Sequence, residues 1–89
     1  MKAFITVMGK DKVGIIASVS TKLTEWNINI EDISQTIMQG VFTMIMAVNT
    51  EGCTKEFSAI ADMLKELGET LGVEISIRSE AIFQAMHRI

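Results

Sequence analysis

Residues 5–33 read ITVMGKDKVGIIASVSTKLTEWNINIEDI, and their hydrophobic period changes twice. Up to Met8, β-forming residues occupy both alternating positions, the pattern of an interior strand in a sheet covered on both sides. From Gly14 onward Ile15, Ile16, Val19, Leu23 and Trp26 recur at three- and four-residue intervals, with Ser18, Lys22 and Glu25 opposite. That spacing predicts an amphipathic helix. Over residues 27–39 alternation returns, with Ile28 and Ile30 in one phase and Ile33 and Ile37 in the other. The slip near Glu31 and Asp32 predicts a β-bulge.

Outward from this stretch, the first strand begins at Lys2 and ends at Gly9. Gly40 precedes a second alternating run over residues 41–49, VFTMIMAVN, so the two runs read as a hairpin. Residues 50–54 form a loop, with Cys53 or Thr54 near the next helix start. Phe57, Ile60, Ala61, Leu64, Leu67 and Leu71 then keep a clean helical period, and Gly72 follows as a left-handed C′ residue. Residues 73–78 alternate again, placing Val73, Ile75 and Ile77 inward. Ser79 and Glu80 open a helical tail over residues 79–89, with Ile82, Phe83, Met86 and Ile89 on one stripe. The order strand, helix, strand, strand, helix, strand predicts an α+β, ferredoxin-like βαββαβ sandwich. It has an antiparallel sheet with two helices on one face, plus a short C-terminal helix.

Length and composition bound what such a chain does. Its 89 residues make one domain, residues 1–89, and 48% hydrophobic content with 21% charge is apolar for so small a monomer. On the third strand Phe42, Met44, Met46 and Val48 share a phase, so Val41, Ile45 and Ala47 lie on a face that helices on one side leave uncovered. This uncovered face predicts a homodimer. The net charge is −3 and the basic residues are scattered from Lys2 to Arg88, which excludes a nucleic-acid stripe. No apolar run reaches membrane-spanning length, and Gly9 to Lys12 interrupt the N-terminal run before it could act as a signal sequence. With Cys53 the only cysteine, the reading is a cytoplasmic protein with no membrane partner, no disulfide within one chain and no zinc-type spacing.

The stretch quoted above resembles the opening of an ACT domain. The matching features are the strand ending at Gly9, the polar loop closing at Gly14, the aliphatic pair Ile15 and Ile16, the helix, and Asn29-Ile30-Glu31-Asp32 leading into the second strand. The likeness covers nearly the whole chain, and without an appended enzyme the chain looks like the small stand-alone members. The resemblance implies a regulatory role: ACT domains commonly pair so that ligand sits between a loop of one copy and strands of another. It also implies that Asp11 occupies a loop position where amino-acid-binding members often carry a neutral polar ligand contact, and Asn29 a position that touches ligand in many. Gly9 departs from members that place a donating side chain there.

The candidate ligand site is therefore Gly9, Asp11, Gly14, Ile15, Asn29 and Ile30. The loop from Gly9 to Gly14 leads into a helix start, whose amides and partial positive charge favour a carboxylate; alternatively its glycines only make the strand-to-helix turn. Asp11 holds an α-ammonium group or caps the helix, for about 1 kcal/mol. Asn29 contacts ligand through an amide that donates and accepts, or satisfies the turn before it. Ile15 and Ile30 flank these groups. No cofactor or metal is called for: His87 stands alone, and Cys53 has no companion. Lys10 and Lys12 would suit an acylphosphatase-like loop, but it holds no arginine, and no catalytic residues are assigned. The reading is a non-enzymatic module that senses a small molecule, an amino acid, at a dimer interface and signals to a regulated protein partner. The alternative is a dimerisation or docking module with no small ligand.

Overall fold

The structure is a computed structural model that describes residues 1–10 and 14–86, apart from the side chains of residues 83, 84 and 86. Its elements are β1 (Lys2–Lys10), α1 (Ile15–Glu25), β2 (Asn29–Met38), β3 (Val41–Asn49), α2 (Phe57–Leu71), β4 (Glu74–Ser79) and α3 (Glu80–Met86). The four strands form one antiparallel sheet in the order β2-β3-β1-β4. This is the ferredoxin-like arrangement expected from the period changes.

The helices cover one face. Ala3, Ile5 and Val7 of β1, Phe42, Met44, Met46 and Val48 of β3, and Ile75 and Ile77 of β4 pack with Ile15, Val19 and Leu23 of α1 and Ile60 and Leu64 of α2 in a single buried core. The partition of β3 follows the sequence phase: Phe42, Met44, Met46 and Val48 are buried, Val41 is exposed, and Ile45 and Ala47 are half-buried. β1 is interior to the sheet, as expected, but it is not covered on both sides. Its second phase, Phe4, Thr6 and Met8, lies on the helix-free face, where Phe4 and Thr6 are half-buried and Met8 is exposed.

Local chemistry explains where the elements begin and end. The slip in β2 is real: pairing with β3 shifts register between Ile30 and Asp32, which moves Ile33 and Ile37 to the helix side of the sheet. Gln39 and Gly40 both take positive φ, 52° and 79°, the geometry of a tight hairpin turn. Asn27, in the left-handed region at φ 60°, ends α1: the Ile28 amide donates to the Leu23 carbonyl (2.9 Å) and the Asn27 amide to that of Thr24 (3.0 Å). Gly72 ends α2 in the same conformation, with its amide donating to the Gly68 carbonyl. α2 starts at Phe57 after Glu56, two residues beyond Thr54.

The tail is helical over α3, and the Ile82 amide donates to the Ser79 hydroxyl at 3.3 Å, the cap the sequence suggests. α3 lies against β1 and β4. Within the expected stripe only the Ile82 side chain is described, and it is exposed. Phe83, Met86 and Ile89, and likewise His87, lie outside the described side chains.

Candidate functional site

The sequence-predicted residues that the structure describes fall into two groups at opposite ends of the sheet. Gly9 stands near the end of β1, opposite Phe42; the next row across the sheet is Lys10, Val41 and Met38. Gly14 and Ile15 open α1 at this same end. Asn29 begins β2 at the other end, in the row that joins Lys2, Asn49 and Asn29, with Ile30 beside Val48. Eleven residues of α1 separate the two groups, a length of about 16 Å. Asp11 lies outside the described residues. The five described residues therefore do not converge within one chain.

At the loop end the two glycines differ. Gly9 lacks a side chain because the chain itself occupies the space: a methyl group there would stand 2.7 Å from Val73 Cγ1 and 3.1 Å from its Cβ. The absence of a side chain at Gly9 is thus required by Val73. Gly14 is different, since its φ of 88° needs glycine while no described atom lies within 4 Å of where a methyl group would stand. The Gly14 carbonyl accepts the first helical bond, from the Ser18 amide at 2.9 Å. The amides of Ile15, Ile16 and Ala17 consequently have no acceptor within the helix. The Ile15 side chain is buried in the core, so only its backbone faces outward.

The Asn29 end is a built polar corner. A cavity of about 360 Å³ is lined by Thr24, Asn27, Ile28, Asn29 and Ile30. The exposed Asn29 side chain lies at its rim, and half-buried Ile30 packs against the core. Asn27 fastens this corner to the β3–α2 loop by donating from Nδ2 to the Gly52 carbonyl at 2.8 Å. Gly52 permits that bond, because a methyl group there would stand 2.8 Å from the same nitrogen. The Met1 carbonyl accepts from the Thr50 amide (2.8 Å) and hydroxyl (3.1 Å), and Lys2 pairs with Glu31 at 3.7 Å. The sequence marks Gly52 as a loop residue but does not reveal its bond to Asn27. The available signals were an asparagine directly after a helix and a glycine in a loop, both of which mark special backbone.

What these parts can do chemically is bind a small polar molecule: helix-start amides with no acceptor within α1 at one end, and at the other a pocket with amide side chains and no charged residue among its described lining. Among the described residues no cluster of three or more histidine, cysteine or carboxylate side chains could hold a metal ion. No helix among them is long and apolar enough to cross a membrane.

The sequence profile of the ACT domain matches residues 2–78. The chain belongs to the ACT domain family. It is 54% identical to a UPF0237 protein of Listeria innocua and 55% identical to one of Clostridium acetobutylicum, in each case over the full length of both chains. Among solved structures it is similar to an ACT domain protein from Streptococcus pneumoniae, at 47% identity over 98% of each chain with a TM-score of 0.84. ACT domains are regulatory small-molecule-binding modules, and this chain consists almost wholly of one.

Proposed function

We propose that this ACT domain is a homodimeric sensor of an α-amino acid, which binds between two copies and whose bound state is read by a partner protein. The observation that carries the reading is the separation of the two half-sites by a long exposed edge. β2 pairs only with β3 among the described strands, and residues 31–38 are exposed throughout. Ile33, Ile37 and Met38 are 39%, 57% and 68% accessible, an apolar edge of the kind that invites strand pairing.

Antiparallel pairing of β2 with its copy about a two-fold axis carries Asn29 of one chain toward the Met38 end of the other. That is the end where β1 hands over to α1, through the row Lys10, Val41 and Met38. The ligand carboxylate then meets the first amides of α1 beside Gly14 and Ile15, with Asp11 near its ammonium group. Asn29 and Ile30 of the other copy close the site. The loop contributes partial positive charge and the corner contributes amide donors and acceptors, so the pair is suited to a zwitterion. We assign the chain no catalytic role. The cytoplasm is the compartment we propose.

A mixing experiment tests the shared site. After a thermal-shift screen of the free amino acids identifies a ligand, Asp11→Asn and Asn29→Ala are each expected to weaken it, the latter by about 1–3 kcal/mol. Re-annealing the two variants at equal amounts should restore parental affinity in about a quarter of the sites, since half of randomly paired two-fold dimers are mixed and each carries one intact site. No recovery on mixing would place the site within one chain. No stabilisation by any amino acid would favour the docking module.

A further inference from the structure

We propose that the opposite edge of the sheet, β4 with the flank of α2, is a second self-association surface that pairs antiparallel with β4 of another copy about an axis through Ser76. β4 pairs only with β1 among the described residues, so its outer backbone groups have no strand partner there. Beside that edge runs a groove of about 450 Å³, lined by Lys65 and Glu69 of α2, by Val73, and by Glu74, Ile75, Ser76 and Arg78 along the strand.

Charge at a sheet edge ordinarily discourages strand pairing, because an incoming strand leaves like charges opposed or unpaired. The order of charge on β4 has the opposite effect in one register. Glu74, Ser76 and Arg78 alternate onto the helix-free face. When two such strands run antiparallel with Ser76 facing Ser76, each Glu74 stands across from the other copy's Arg78, and both ion pairs form at once. Ile75 stands across from Ile77 on the other face. Shifting the register by two residues in either direction breaks both pairs. Arg78 already donates from Nη1 to the Ser76 hydroxyl at 3.2 Å, so the guanidinium leans along the strand and keeps further donors for a facing carboxylate.

The flank repeats the pattern. Lys65 and Glu69, four residues apart and both exposed, share one face of α2 beside this edge. A two-fold axis through Ser76 brings Lys65 of one copy toward Glu69 of the other. A second copy of this chain is the occupant these features fit: the same patch supplies both charges in complementary order, as an isologous interface requires. The proposal is independent of any ligand and of pairing through β2. If both edges pair, the assembly exceeds a dimer.

Charge reversal on the full chain, read by light scattering and sedimentation, tests this register. Glu74→Arg and Arg78→Glu should each lower the assembled mass by at least half, with thermal melts near that of the parent because Glu74 is exposed and Arg78 half-exposed. An equimolar mixture of the two variants should regain the parental mass, since one then presents two cations and the other two carboxylates. The double variant Glu74→Arg with Arg78→Glu should regain it alone. A single reversal that leaves the parental mass unchanged overturns the proposal, as does a mixture that stays at the reduced mass. Should a reversal lower the melting temperature, the mixed sample decides.

Discussion

The two edges of this sheet are built on opposite plans. β2 is ten residues long, lies beyond the cover of the helices and exposes Ile33, Ile37 and Met38. β4 is six residues long, turns charge outward, and is backed by α2 so closely that a methyl group on Gly68 would stand 2.6 Å from the Val73 carbonyl oxygen. An apolar edge gains from any strand that covers it, and its register comes from whatever else the two copies share. A charged edge gains only from a strand whose charges fall in the complementary order. The first plan suits a pairing that must bring two half-sites together; the second suits selectivity in the partner.

The backing of β4 is where a single atom should matter most. Gly68→Ala should gain up to about 1 kcal/mol in helix propensity, yet lose about 1–3 kcal/mol by overpacking, for a net cost of up to about 2 kcal/mol. The opposing atoms are the Val73 carbonyl and the Ile75 backbone nitrogen, which cannot rotate away. For a domain of this size the melt should fall by about 4–8 °C per kcal/mol, which circular dichroism would register. A melt equal to the parent's would mean that α2 is not seated on this edge.

At β2 the expected effect falls on association instead of folding. Replacing Ile33 and Ile37 together by lysine removes exposed apolar surface and sets two like charges along the edge. The proposed dimer should dissociate at least tenfold more readily, about 1.4 kcal/mol, while the melt at low concentration stays within about 0.5 kcal/mol of the parent. Unchanged sedimentation would move the dimer interface elsewhere.

The smallest effect should come from the charge already settled within β2. Glu31 pairs with Lys2 of its own chain at 3.7 Å across an exposed surface. Such pairs contribute between about 0 and 1 kcal/mol, so Glu31→Gln should alter the melt by a few tenths of a kcal/mol and leave sedimentation unchanged. A larger loss would show that Glu31 also faces the second copy.

Much of this was legible in the sequence. The slip of phase around Glu31 and Asp32 located the bulge, and the alternation of residues 41–49 separated the buried face of β3 from its open one. The stripe from Phe57 to Leu71 located α2, but the same stripe concealed Gly68, which sits buried on the packed face where a periodic reading passes over it. Ile16 fitted the stripe of α1 yet is exposed, because it lies at the margin of the face that meets the sheet. The close packing of Val73 against Gly9 left no mark in the local pattern.

Period, capping chemistry and turn residues act between neighbours a few positions apart, and so the sequence by itself determined the elements, their order, their inward faces, the hairpin turn at Gly40 and the left-handed stop at Gly72. Only the tertiary structure decided that the space above Gly9 and Gly68 is filled by residues 73–75, that Asn27 ties two loops together, and that Gly14 and Asn29 stand toward opposite ends of the sheet. Each of these depends on which segments become neighbours after the sheet closes in the order β2-β3-β1-β4. The space above a glycine and the distance between two loops are set by those long-range contacts, which leave no mark in local spacing.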